Sequence, residues 1–127
     1  MDRPALQTWI DGYEAAWRTA GTDPLRALFT DDATYLPSPY EDPLPGLEAI
    51  GRFWEDTRDG PDEAFSMTSE VVAVEGDTGV ARVFVRYGDP VSREYRDLWI
   101  VELAPDGRCS HFEEWPFFPG QPRTATP

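Results

Sequence analysis

The 127-residue sequence holds one cysteine, one histidine and no lysine, so all 11 basic residues are arginine. A lone Cys109 excludes an internal disulfide framework and suits a reducing cytoplasm. A lone His111, with no second His or Cys cluster, offers no metal-ligand spacing, and neither metal nor cofactor is expected. No apolar run approaches the length of a membrane span. The N-terminal "MDRPALQTWIDGYEAAW" has neither the basic start nor the unbroken apolar stretch of a signal peptide. There is no glycine-rich phosphate loop, since "GDTG" reads as a hairpin turn. Positive charge is also scarce: 24 Asp and Glu against those arginines give a net charge of −13. Such a field repels phosphate backbones and anionic lipid, which excludes nucleic acid and membranes as partners. A cytoplasmic, acidic single domain over 1–127 is what these absences leave.

What is present is a core. Apolar residues make up 40% of the chain and aromatics 13%, enough to fold despite the charge. Leu6, Trp9, Ile10, Tyr13, Ala16, Trp17 and Ala20 recur at three- and four-residue steps and predict a helix from about 4 to 20, with Pro4 in its first turn and Gly21 at its end. "TDPLRALF" predicts a second, shorter helix capped by Thr22 or Asp23, with Asp31 and Asp32 closing the loop behind it. Leu47, Ile50, Phe53 and Trp54 mark a third helix stopping near Gly60. Between them runs "LFTDDATYLPSPYEDPLPGLEAI", a short strand and a loop with four prolines. Beyond residue 63 the period becomes alternating. "FSMTSEVVAVEG", "GVARVFVRYG", "REYRDLWIVELA" and "RCSHFEEWPFF" read as four strands joined by "EGDTG", "GDPVS" and "APDG", an antiparallel meander. Residues 118–127 form a loose tail. Helices followed by a long twisted sheet make an α+β fold, with the helices in the concave side.

"YEAAWRTAGTDPLRALFTDDATY", then "GLEAIGRFW" and the late "DLWIVELAPDGR…EEW", resemble the nuclear transport factor two-like superfamily, and within it SnoaL-like proteins, over roughly residues 5–117. The resemblance implies a cone-shaped, cystatin-like curved sheet around the N-terminal helices, an apolar pocket at one end, and homodimers through the outer face of the sheet. Because this fold hosts isomerases, cyclases, epoxide hydrolases, dehydratases and non-catalytic scaffolds, it does not name a reaction.

Several residues follow from the resemblance. Tyr13 and Asp97 fall where ketosteroid isomerases carry the tyrosine and protonated aspartate of their oxyanion hole, and Trp54 falls where that family often has a second aromatic donor. Pro37 occupies the position of their general base and cannot take a proton. Glu114, seven positions after Gly107, matches an acid or base of SnoaL-like cyclases. "YRD" in place of Arg-x-Asp sends Arg96 to the opposite face and argues against the epoxide-hydrolase triad. Tyr13 as a plain core aromatic and Asp97 as a pairing carboxylate without chemistry are the simpler alternatives.

Strand pairing bears on the two acids directly. A two-residue loop, Pro105-Asp106, sets Asp97 across from Glu114 with Cβ atoms ~5 Å apart. A three-residue loop through Gly107 brings Trp115 opposite Asp97 instead. In the first register two carboxyls in a water-poor pocket share a proton and supply an acid and a base. Trp17, Tyr35, Tyr40, Trp54, Phe65, Trp99 and Phe112 are the expected substrate-binding surface, with Pro37 and Pro39 stiffening its rim. Arg82, Phe84 and Arg86 belong to a solvated or dimer face. Cys109, His111 and Glu113 share a strand face, with His111 directed away from Glu114. The expected function is that of a cofactor-independent acid–base enzyme (isomerase, cyclase, dehydratase or hydrolase) acting on a small, fairly apolar substrate. The alternative is a ligand-binding or dimerising scaffold of the same fold without catalysis.

Overall fold

The computed structural model describes residues 1–58, 60 and 62–122. Helix α1 spans Arg3–Trp17 and α2 Leu25–Leu28; strands β1, Phe29–Leu36, and β2, Leu44–Pro45, precede α3, Gly46–Thr57. Strands β3 (Phe65–Glu75), β4 (Thr78–Tyr87), β5 (Arg93–Leu103) and β6 (Cys109–Phe117) complete the chain. The expected elements are all present, with ends shifted by a few residues. Asp31 and Asp32 are the exception, lying within β1 as exposed strand residues rather than behind α2. Of the expected tail, 123–127 lie outside the described residues.

The six strands form one sheet in the order β2-β1-β6-β5-β4-β3. The last four are the antiparallel meander, and β1 joins its end parallel to β6. Together with the N-terminal helices this is the α+β, curved-sheet architecture expected from the sequence. Among the described residues no helix is long and apolar enough to cross a membrane.

Helix α1 lies in the concavity because its apolar stripe leaves no other solution: Leu6, Trp9, Ile10, Tyr13 and Ala16 are all buried. Its start is capped by Asp2, whose side chain accepts from the Ala5 N–H at 2.9 Å. At its other end Arg58, just past α3, donates from one guanidinium to the carbonyls of Ala16, Trp17, Thr19 and Gly21. One buried cation thereby satisfies the orphan carbonyls of the helix end and complements its dipole. That bond set ties α1 to α3 and holds both against the sheet. Trp9 anchors the centre, with its ring against Phe29, Trp99 and Phe112 and its N–H on the Leu28 carbonyl at 2.8 Å.

Candidate functional site

A cavity of about 330 Å³ opens between the sheet and the helices. Its sheet wall follows from strand periodicity: Arg93, Tyr95, Asp97 and Trp99 alternate inward along β5. Cross-strand pairing extends each into a row. Phe65, Tyr87 and Arg93 form the outermost row, Met67, Val85 and Tyr95 the next, and Asp97 stands beside Pro116 further in. Deepest are Trp99 and Glu114, directly opposite each other. Helices and β1 supply Tyr13, Trp17, Phe53, Thr57 and Tyr35, and Glu63 completes the lip.

The last hairpin decides where the acids point, and neither register considered from the sequence is the observed one. Its loop has three residues, Pro105-Asp106-Gly107, closed by the Ala104 N–H on the Arg108 carbonyl at 2.7 Å. Gly107 takes φ 89°, a left-handed conformation that glycine adopts without strain. By itself that loop turns Glu114 away from Asp97. A β-bulge then adds one more step: Glu102 pairs with His111 but Leu103 with Cys109, leaving Ser110 extra. Asp97 therefore pairs with Pro116, and Glu114 comes back to Asp97's face as its diagonal neighbour. The bulge also separates Cys109 from His111 and Glu113. Cys109 is fully buried in the core, with its thiol pushed up to about 12 by burial. His111 and Glu113 bond each other at 3.0 Å on the outer face.

The two acids are close enough to act on each other's ionisation although they are not in opposition. Burial raises Glu114 well above the ordinary glutamate range, and the nearby Asp97 charge raises it further. Burial also raises Asp97, while hydrogen bonds from Glu114 and the Trp99 indole oppose the rise. Both carboxyls are thus held above their ordinary range, Glu114 by burial and its acidic neighbour and Asp97 by burial. Asp97 Oδ1 is buried without a hydrogen-bond partner among the described residues. Trp99 Nε1 donates to Asp97 Oδ2 at 3.3 Å. Tyr35 opposes the Glu114 rise, and its hydroxyl lies 2.9 Å from that of Tyr13. Burial keeps both phenols far above their usual pKa, and they remain neutral donors. Two bonded pairs result, Tyr13 with Tyr35 and Asp97 with Trp99, and Glu114 is electrostatically coupled to both pairs.

Tyr13, Trp17, Tyr35, Phe65, Asp97, Trp99 and Glu114 are therefore brought together in the cavity wall. Three other expected wall residues are elsewhere. Tyr40 is 102% exposed, because the proline loop projects from the β1–β2 edge rather than over the mouth. Trp54 packs behind Tyr13 and Trp17, its indole N–H buried without a partner. Phe112 is 0% exposed, enclosed by Trp9, Phe29 and Tyr35. Pro37 and Pro39 do not line the cavity either. Met67, Val85, Tyr87, Arg93 and Tyr95 were not anticipated. Their signal was available, since stepping by two from Asp97 and across the paired strands reaches all five. Among the described residues no three His, Cys, Asp or Glu side chains are arranged to hold a metal ion.

Comparison with known proteins agrees with this architecture. A putative isomerase of the SnoaL-like family from Agrobacterium tumefaciens superposes with a TM-score of 0.71 at 15% identity, covering 90% of this chain and 98% of that one. A putative SnoaL-like polyketide cyclase from Jannaschia sp. CCS1 gives 0.68 at 17%, covering 91% and 90%. An epoxide hydrolase/cyclase-like enzyme of pyran ring formation in the polyether salinomycin gives 0.73 at 12%, covering 91% and 93%. At these identities the likeness is one of fold. No curated protein matches the chain in sequence. The family model of the SnoaL-like domain, however, matches residues 10–112, and the chain belongs to that family.

Proposed function

We propose that the protein is a cofactor-independent acid–base enzyme acting on a small, largely apolar molecule held in the cavity. The single observation that carries this reading is the neighbouring Asp97 and Glu114 carboxyls, both raised above their ordinary range, in the wall of an aromatic pocket. Two carboxyls with unlike environments provide a base and an acid at the same pH. Asp97, ionised, takes a proton from a carbon next to a substrate carbonyl, and the electron pair moves onto the carbonyl oxygen as an enolate. Glu114 returns a proton at a second position, which completes an isomerisation or sets up a ring closure. The Tyr13–Tyr35 hydroxyl pair donates toward the developing oxyanion in a setting where water does not compete. Trp17, Phe65 and Trp99 supply flat apolar contact for the body of the substrate.

The experiment is a carboxyl-carbon NMR titration of the protein labelled at Asp and Glu, paired with turnover assays on a panel of cyclic ketones. One strongly raised carboxyl, lost in Glu114→Gln together with any turnover, supports the enzyme. Ordinary titration of both carboxyls leaves a binding scaffold.

As its macromolecular partner we propose a second copy of the chain on the sheet's outer face. Phe84 and Phe117, 44% and 51% exposed, flank Arg96 there in one cross-strand row. Light scattering of the wild type and of Phe117→Glu tests this; a monomer in both overturns it.

A further inference from the structure

Arg93 is the single basic residue in the cavity lining among the described residues. In a chain of net charge −13 five arginines at the surface are held by acids: Arg18 by Glu14, Arg52 by Glu48, Arg82 by Glu70, Arg86 by Glu94 and Arg108 by Asp106. Arg93 has no carboxylate within ion-pair distance among the described residues. Its guanidinium instead rests over the Tyr87 ring, 4.7 Å from the centroid, in the outermost row of the wall. Glu63, the acid on the same lip, is held by the Trp17 indole at 3.1 Å.

Position on the strand gives this cation a relation to the acid couple. Arg93 and Asp97 face inward on the same strand, four residues and about 13 Å apart along it. Tyr95 stands between them, and Phe65, Met67, Val85 and Tyr87 surround the span. The cavity thus offers a proton-transfer centre at the deep end, an apolar middle and one fixed positive charge at the mouth. Planar guanidinium groups favour carboxylate, which they receive through two parallel N–H donors.

We infer that Arg93 selects the substrate class: a rigid, apolar molecule of about two fused rings carrying a carboxylate at the end remote from the reacting carbonyl. This rests on the reading of the Asp97–Glu114 couple as the reacting centre, which sets the direction in which the molecule lies. The reacting end enters first, and the carboxylate stays at the rim, where its remaining oxygen lone pairs keep contact with water. A wholly neutral analogue fills the same apolar span without that anchor.

A binding experiment tests this without turnover. The probes are 2-naphthol and 6-hydroxy-2-naphthoate, each presenting a phenol as a stand-in for an enol, followed by quenching of the tryptophan fluorescence. The naphthoate is expected to bind wild-type protein roughly fivefold tighter or more. Arg93→Met is expected to remove that preference while leaving 2-naphthol within about twofold, and Arg93→Lys to retain part of it. Equal affinities in the wild type, or equal loss of both probes in Arg93→Met, overturn the inference and leave the acid couple untouched. Failure of the wild type to bind either probe overturns the cavity reading beneath it as well. Ordinary carboxyl titration alongside an intact naphthoate preference sinks the enzyme alone.

Discussion

Glu114 sits directly across from Trp99 in the β5–β6 ladder, and the Trp99 indole reaches along its own strand to Asp97 at 3.3 Å. Trp99 therefore stands between the two acids, bonded to one and paired across the strands with the other.

Removal of either carboxyl is expected to lower turnover by about 100-fold or more. The double variant Asp97→Asn/Glu114→Gln should be little worse than either single one, because a shared proton is lost as a unit. Kinetics of the three variants on one substrate measure this. Additive losses count against a couple.

Stability should fall as pH rises. Glu114 has its folded pKa raised well above 4.5, so between the unfolded value and the folded one the native state binds more protons than the unfolded chain. Stability is full below that window and is lost as pH climbs through it. Glu114→Gln cannot ionise, and its melting temperature should be flatter against pH and higher at the alkaline end. Thermal melts across the window decide the matter, and a wild-type curve as flat as the variant's would contradict the assignment.

Tyr35→Phe deletes the hydroxyl between Tyr13 and Glu114. Because the Tyr35 bond lowers the Glu114 pKa, its loss should move that carboxyl further upward in the NMR titration. The accompanying cost in stability is expected to be about 1 kcal/mol. A downward shift would show that Tyr35 accepts rather than donates.

Arg58→Met tests the scaffold rather than the site. It strips the carbonyls of Ala16, Trp17, Thr19 and Gly21 of one shared donor. A loss of about 3 kcal/mol, or roughly 10 °C in melting temperature, is expected for so buried a cation. Calorimetry reads it directly, and a change under 1 kcal/mol would mean that water replaces the guanidinium.

Deleting Ser110 should be the most damaging single change. It removes the bulge, so residues 111–117 exchange faces, with Phe112 and Glu114 turned outward. Circular dichroism is expected to show no cooperative melt, whereas Ser110→Ala, which keeps the residue count, should fold normally.

Much of this protein was legible in one dimension. Periodicity alone placed α1, because Leu6, Trp9, Ile10, Tyr13 and Ala16 recur at helical steps and no other face is apolar. Alternation and turn residues placed four long strands, and strand parity was enough to send Asp97 inward with Trp99. Those signals are local: a side chain's face follows from its own chain's geometry, whatever it later meets. Tyr40 shows the limit, since a tyrosine between prolines reads equally as a pocket lip or as a solvent-exposed loop tip. Phe112 shows it too, since facing inward does not say whether a residue meets a cavity or another ring.

Two matters were decided only in three dimensions. The first is the partnership of Asp97 with Glu114, which depends on a three-residue loop and an extra Ser110 in one strand. Each flips the parity of everything downstream, and two flips restore it; a bulge is held by the neighbouring strand, and nothing in "RCSHFEEW" marks it. The second is the mouth, where Phe65, Tyr87 and Arg93 form one row although they are far apart in the chain. Composition and period determine which faces are buried, whereas register between strands, a property of pairs, determines which chemistry shares a wall.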